Sequence, residues 1–246
     1  MRNIRLLIEY EGTNYSGWQF QKQVPTIQGA VIEAIKKLTG EGVDLLGASR
    51  TDAGVHAFGQ VASFKTASSM PLFSLTLGLN FMLPEDIVIK NAVEAPLNFN
   101  PRMDSKGKTY IYKILNRSCR CAILRKFSWH VFKPLNLTLM RQGAVHLIGE
   151  KDFSSFKAAE SDAAHPVREV TAVNIGDAGD GLIEIEVKGT AFLRHMVRII
   201  AGTLVDVGKG RLRPDDVAKV IEARDRTVAR MTAPAQGLFL MKVDYP

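Results

Sequence analysis

Hydrophobic positions in the first 105 residues form short strand-like runs and one clear helical stripe. The apolar run Ile4–Tyr10 predicts a buried strand. A helix is predicted to begin after Pro25-Thr26, with Thr26 as its N-cap, and to end near Thr39 with Gly40 as its stop signal. The remaining elements of this half are predicted as strand, strand, helix and strand, over Val43–Leu46, Gln60–Phe64, Leu72–Phe81 and Ile87–Val93. The first half is therefore predicted to have the order β-α-β-β-α-β.

A second series of elements begins near residue 106. The longest apolar stripe of the chain, Ala191–Val207, predicts its strongest helix, and Asn136 and Pro214 are predicted to begin two others. Runs typical of strands lie at Thr109–Leu115, Phe127–Phe132, Val167–Ile175, Leu182–Val187 and Gly237–Val243. Strands and helices alternate in both parts, and no linker separates them. We therefore expect an α+β fold with two related halves, 1–105 and 106–246, that share a mainly antiparallel sheet with a central cleft.

Composition narrows the classes of function. The chain has 246 residues, of which 46% are hydrophobic and 23% charged, and its net charge of +7 suits a polyanionic partner. Its apolar runs are too short for a signal peptide or a membrane span, so we expect a cytoplasmic protein without membrane contact. Cys119 and Cys121 are interpreted as reduced thiols, because no second pair completes a metal site.

One loop concentrates groups that can carry chemistry. In residues 48–57, ASRTDAGVHA, small side chains surround the guanidinium of Arg50, the carboxylate of Asp52 and the imidazole of His56. Gly54 can take the positive φ that most residues avoid, and Asp52 can hydrogen-bond the backbone of a turn. The loop alone is compatible with an ordinary turn capped by Asp52 as well as with a catalytic loop.

Basic and aromatic residues alternate between residues 100 and 133. Such a mixture suits RNA, because phosphates need cations and unstacked bases need aromatic faces. A pair of half-buried strands with solvated lysines explains the same pattern. The basic residues are Arg102, Lys106, Lys108, Lys113, Arg117, Arg120, Arg125, Lys126 and Lys133, and the aromatic ones are Tyr110, Tyr112, Phe127, Trp129 and Phe132.

Two arginines lie at the border of the strongest apolar stripe. Arg194 and Arg198 are four positions apart, which places them on one face of the predicted helix. A partly desolvated arginine needs an anion, so each is expected to bind a phosphate or a carboxylate, or to form a structural ion pair with an acid such as Glu184 or Asp206.

The chain lacks the signatures of several other chemistries. It has no phosphate-binding Walker loop, no dinucleotide fingerprint, no His-Glu-x-x-His metal motif and no Gly-x-Ser-x-Gly elbow. A reaction that needs one carboxylate and neither cofactor nor metal remains.

Ordered segments over nearly the whole chain resemble the TruA family of tRNA pseudouridine synthases. Residues 49–57 resemble its catalytic motif, 108–112 its tyrosine-bearing strand and 191–198 its arginine-bearing helix. Residues 232–238 resemble its C-terminal motif, and early elements around 10–19 and 26–29 are also similar. The resemblance implies a pseudouridine-synthase fold, a homodimer without cofactor or metal, and conversion of uridines 38, 39 and 40 in the tRNA anticodon stem-loop.

The resemblance also assigns residues. Asp52 corresponds to the catalytic aspartate and Tyr110 to the residue that stacks on the target uracil. Arg198, with Arg194 as the alternative, is expected to keep Asp52 ionised. Arg50 is similar to an arginine that fills the space left by the base, and Arg102 is an expected RNA contact.

Two features of this chain leave questions open. Ser49 stands where the family usually has glycine, which would strain the loop if that position required positive φ. Asp52 could add covalently to the nucleotide or take a proton from the ribose, and the sequence is compatible with both routes. The same chemistry on another RNA site and a non-catalytic RNA-binding protein of this fold are the alternative functions.

Overall fold

The computed structural model describes residues 1–158 and 165–246. These form two compact units, one of Met1–Lys106 with Leu240–Pro246 and the other of Gly107–Phe239. The sequence division at 105/106 kept the last strand with the second half, whereas the structure groups residues from Leu240 onwards with the first unit.

The first unit has the predicted order of elements. Strand β1 is antiparallel to both β3 and β4, with Leu6 opposite Ala62 on one side and Ala92 on the other. The strands lie in the order β4-β1-β3-β10, and β2 pairs with β3. The elements are β1 (Arg2–Tyr10), α1 (Ile27–Thr39), β2 (Leu46–Gly47), β3 (His56–Thr66), α2 (Leu72–Met82) and β4 (Ile87–Ala95), joined by β10 (Leu238–Asp244), which begins in the second unit.

The second unit is also a sheet covered by helices. Its strands lie in the order β5-β9-β8-β7 and are antiparallel, and the short β6 pairs with β5 in parallel. The predicted α+β class with a mainly antiparallel sheet is confirmed. The elements are β5 (Gly107–Leu115), β6 (Trp129–His130), α3 (Leu137–Val145), β7 (Gly149–Asp152), β8 (Val167–Asp177), β9 (Leu182–Gly189), α4 (Met196–Gly208) and α5 (Asp216–Glu222).

Helix α1 begins and ends where its sequence predicts. The Thr26 side chain accepts a hydrogen bond from the Gly29 N–H, and Gly40 has a φ of 76° while its N–H donates to the Lys36 carbonyl. Of the apolar residues at helical spacing in α1, Leu38 is only half-buried and the others are buried: Ile27, Val31, Ala34 and Ile35.

The strongest predicted helix begins five residues later than expected. Helix α4 starts at Met196, because His195 has a φ of 65° and this left-handed backbone cannot continue a right-handed helix. Arg194 therefore lies in a turn before the helix, and the prediction that Arg194 and Arg198 share one helix face is wrong.

The predicted strand Phe127–Phe132 is reduced to two residues. A short 3₁₀ helix over Leu124–Lys126 and a turn over residues 127–128 precede the strand, and only Trp129 and His130 pair with β5. Within residues 1–158 and 165–246, no helix is long and apolar enough to cross a membrane.

Candidate active site

Asp52 lies at the centre of the loop that joins β2 to β3. Its side chain is half-buried, Thr51 before it is buried and Arg50 is exposed. Gly54 has the predicted positive φ, 75°, and the Val55 N–H closes the turn on the Asp52 carbonyl at 3.2 Å. The loop therefore presents one carboxylate on a tight turn, beside an exposed guanidinium.

Thr51 anchors this turn from both of its polar groups. Its hydroxyl shares a buried 2.7 Å hydrogen bond with the Tyr10 hydroxyl, and its carbonyl accepts the Trp18 N–H at 3.0 Å. Tyr10 ends β1, and the Trp18 side chain is buried. Because both partners belong to well-packed elements, the backbone next to Asp52 has little freedom.

The segment between β1 and α1 lies against the same turn. A Cβ on Gly12 would overlap the Val55 carbonyl oxygen, and one on Gly17, whose φ is 92°, would come within 2.6 Å of the Thr51 carbonyl oxygen. The Gly12 N–H also donates to the His56 Nδ1 at 3.1 Å. Two glycines of the early motifs are thus required for close approach to the Asp52 loop.

Buried Gln60 fixes the other end of the loop. Its side chain, fully inaccessible, donates to the Ser49 carbonyl at 2.7 Å and accepts from the Ser49 N–H at 3.2 Å. Ser49 is not among the described non-glycine residues with positive φ. The backbone strain that a positive φ would impose on Ser49 therefore does not arise, since this position does not require the conformational freedom of glycine.

In the second unit, Tyr110 lies in the middle of β5 opposite Val187 of β9. Only 6% of the residue is exposed, and the Phe192 ring packs edge-on against it with centroids 5.2 Å apart and planes at 82°. This T-shaped contact fixes the orientation of the phenol ring.

Arg198, on the first turn of α4, is bound to the segment that follows α5. Its Nε donates to the Ala233 carbonyl at 2.9 Å, and the Ala233 N–H donates to the Arg198 carbonyl at 3.1 Å. One turn further along α4, Gly202 has no room for a Cβ because the Met231 carbonyl oxygen lies against it. The guanidinium of Arg198 is therefore held through its Nε, which donates to a main-chain carbonyl.

Tyr112 continues this anchoring beneath the C-terminal motif. Its ring is fully buried and its hydroxyl donates to the Pro234 carbonyl at 2.7 Å. Burial raises the pKa of Tyr112, and the charge of Arg198 opposes that rise. Tyr112 is a core residue, so its inclusion among aromatic side chains suited to stacking on RNA bases is wrong.

Arg226 closes the segment on itself. We call residues 226–234 the strap; within it, one terminal nitrogen of Arg226 donates to the Ala229 and Arg230 carbonyls and the other to the Thr232 hydroxyl. Arg230 has a φ of 28°, an unfavourable backbone conformation that these bonds stabilise.

The other predicted contacts lie at separate places. Arg194 is exposed in the turn before α4, and its carbonyl accepts the Ala158 N–H at 3.0 Å. Arg102 is exposed in a turn of the first unit, where the Asn100 side chain accepts the Arg102 N–H at 3.0 Å. Of the basic residues in 100–133, Lys113 pairs with Glu184 and Arg117 with Asp180.

Sequence reasoning missed the residues that hold the site. Gln60 is a polar residue inside the apolar run of β3, and that anomaly is the available signal. Phe192 and Arg226 gave no signal, because their partners are distant in sequence or lie in the backbone. Among the described residues, no group of three or more His, Cys, Asp or Glu side chains could hold a metal ion.

Comparison with known proteins decides the family. The family model described as tRNA pseudouridine synthase matches residues 6–104 and 144–246. The tRNA pseudouridine synthase A of Acetivibrio thermocellus is 48% identical over 245 residues, covering 100% of both chains. The chain belongs to the tRNA pseudouridine synthase family. The proteins of the same name from Geotalea daltonii and a Thermoanaerobacter species are 47% and 46% identical, again over 100% of both chains.

The resemblance to the TruA family is thus confirmed. The residues matched by the family model include the Asp52 loop, Arg102, Arg194 and Arg198, whereas Tyr110 lies between the two matched segments. The full-length relatives cover that interval too, so the similarity of this pseudouridine synthase to them includes β5.

Proposed function

We propose that this protein converts uridines 38, 39 and 40 of the tRNA anticodon stem-loop to pseudouridine, with Asp52 as the catalytic carboxylate. Membership of the tRNA pseudouridine synthase family supports an isomerase that acts on tRNA uridine. The observation that carries the residue assignment is the anchoring of the Asp52 turn by Tyr10, Trp18 and Gln60. An ordinary exposed turn does not need buried partners on every side.

The reaction requires a group at the position of Asp52 that is regenerated at the end of each turnover. The bond between uracil N1 and ribose C1′ breaks, the base turns, and C5 bonds to C1′. C5 then loses its proton to solvent, and N1 takes up a proton. A carboxylate can assist by adding to the nucleotide and leaving again, or by taking and returning a ribose proton. Either route regenerates ionised Asp52.

The remaining residues have proposed roles in binding. Tyr110 stacks on the target uracil, which has left its helix at a cost of a few kcal/mol. Arg198 is the proposed charge partner of Asp52, and Arg194 is the alternative candidate for this role. Arg50 occupies the space that the base leaves, and Arg102 contacts RNA.

A homodimer is part of the proposal, and helix α2 supports it. Its 11 residues include no charged side chain. Phe73, Leu77 and Phe81, spaced four apart, are 76%, 55% and 85% exposed in the single chain. An exposed stripe of this kind marks a surface that is covered by a partner. A cytoplasmic location completes the proposal, because tRNA is the substrate.

The decisive experiment measures tritium release from tRNA labelled at uridine C5. We expect release from a transcript with uridines at 38, 39 and 40, and none from a matched transcript with cytidine at these positions. Release from both would indicate the same chemistry on another site. Binding without release from any RNA would indicate a non-catalytic RNA-binding protein.

A further inference from the structure

We propose that a cluster of cations at the C-terminal end of α4 is a second RNA-backbone contact, away from the residues assigned to chemistry. The cluster consists of Lys133, Lys209 and Arg211, with Trp129 beneath it, and we call it the Lys209 surface. This proposal rests on the proposed function, in which tRNA is the substrate. It assigns phosphates outside the target nucleotide to the Lys209 surface.

The geometry around Lys209 differs from that of a solvated lysine. Its ammonium lies 5.5 Å from the centre of the Trp129 ring, a cation–π contact that fixes the side chain. Trp129 itself packs edge-on against buried Tyr112, with centroids 6.3 Å apart. The charge is therefore held by the Trp129 ring, which Tyr112 in turn supports.

Like charges converge on this point. Partial burial lowers the pKa of the Lys209 ammonium, and the nearby charges of Arg211 and Lys133 lower it further, against an opposing effect of Asp206. Asp206 is the one carboxylate among these neighbours, and its buried side chain lies 3.4 Å from Arg211. Three cations with one carboxylate leave an excess of two positive charges, which a polyanion would neutralise.

The Lys209 surface lies at the far ends of the two elements that carry assigned residues. Trp129 pairs with Ile114, four positions along β5 from Tyr110, which corresponds to about 14 Å. Lys209 follows α4 eleven positions after Arg198, which corresponds to about 16 Å. A phosphate bound at Lys209 therefore belongs to a different nucleotide from the one bound at Tyr110.

Phosphodiester is the ligand that this chemistry fits. The surface offers two ammonium groups and one guanidinium, of which Lys133 and Arg211 are exposed, and Phe132, next to Lys133 in the chain, is exposed as well. Cations beside an exposed aromatic ring are typical of surfaces that follow a nucleic-acid backbone.

The test compares two double variants of equal charge. Lys133→Gln with Lys209→Gln removes two charges from the surface and keeps Arg211 to pair with buried Asp206. Arg213→Gln with Lys219→Gln removes two charges from the same unit, where both pair with Asp216. Binding of unmodified tRNA is measured over a series of salt concentrations, together with thermal unfolding and single-turnover tritium release at saturating enzyme.

We expect the first variant to lose about 1.4–1.8 from the slope of log affinity against log salt, with a rise in Kd of roughly 25- to 60-fold near 0.1 M salt. The control should change neither, and both variants should keep the wild-type release rate at saturation. An unchanged slope in a folded first variant, or an equal loss in the control, would overturn the inference. So would a lower rate at saturation, since the surface would then act in the chemical step. If wild-type protein binds tRNA but releases no tritium, the proposed function fails while the slopes still test this surface.

Discussion

Arg198 and Ala233 bind each other twice, once through the arginine Nε and once through the two backbones. The distances are 2.9 Å from Nε to the Ala233 carbonyl and 3.1 Å from the Ala233 N–H to the Arg198 carbonyl. The first of these bonds uses the Nε–H and leaves the terminal nitrogens of the planar guanidinium for other partners, an arrangement that a lysine cannot reproduce. The strap therefore determines where the proposed partner of Asp52 holds its charge.

Replacing Arg198 tests whether geometry or charge matters. We expect Arg198→Lys to keep the fold and lower the single-turnover rate at least tenfold, because the charge remains but the bond to Ala233 is lost. Arg198→Ala should lower it further. A wild-type rate in Arg198→Lys would show that the strap does not position a catalytic charge.

Asp52→Asn tests the catalytic assignment itself. The substitution keeps the size of the side chain and removes its charge, so tritium release should vanish while tRNA affinity stays nearly unchanged or rises slightly, because a carboxylate contributes no attraction to the RNA phosphates. Asp44→Asn, on the exposed segment before β2, is the matched control and should retain the full rate. Turnover by Asp52→Asn would refute the assignment.

Gly12→Ala tests the close approach of the early segment to the Asp52 loop. The added methyl overlaps the Val55 carbonyl, and overpacking of this kind costs about 1–3 kcal/mol. We expect a lower melting temperature and a slower reaction. Gly42→Ala, where a Cβ meets nothing within 4 Å, should change neither property. Equal behaviour of the two variants would contradict the packing argument.

Arg226→Gln tests the strap. Three acceptors lose their donor, and hydrogen bonds from a charged group contribute about 1.5–3 kcal/mol, so chemical denaturation should show a clear loss of stability. The reaction should slow as well, because Thr232, one of these acceptors, immediately precedes Ala233, the partner of Arg198. Arg224→Gln removes an exposed ion pair with Asp152 and should leave the rate unchanged. A fast Arg226→Gln enzyme would separate the strap from catalysis.

Leu77→Glu tests the apolar stripe of α2 as the dimer contact. A charge in the centre of a covered apolar surface is costly, so light scattering should give the 27.1 kDa monomer for this variant and twice that mass for the wild type. Val145→Glu, at an exposed apolar position on α3, should remain dimeric. A dimeric Leu77→Glu protein would place the contact elsewhere.

Local sequence determined the elements that depend on local chemistry. The N-cap at Thr26 and the stop at Gly40 were readable because capping needs only neighbouring residues. The order of the first unit followed from its apolar runs, and the ordered motifs along the chain, with that around Asp52 among them, together indicated the family.

Tertiary structure decided what depends on distant partners. Helix α4 begins at Met196 although its apolar stripe begins earlier, because His195 adopts a left-handed backbone that periodicity does not encode. Tyr112 and Tyr110 alternate with Ile111 in one basic, aromatic run, yet Tyr112 is committed to Pro234, 122 residues away. Gly12 and Arg226 act mainly through backbone groups, which every residue possesses, so no side-chain pattern predicts their roles; only Gln60, a polar residue inside an apolar run, carries a signal. Sequence specifies side chains in order, whereas the Asp52 loop is supported by the bond between the Tyr10 and Thr51 hydroxyls and by hydrogen bonds to main-chain atoms, all of which only folding brings within reach.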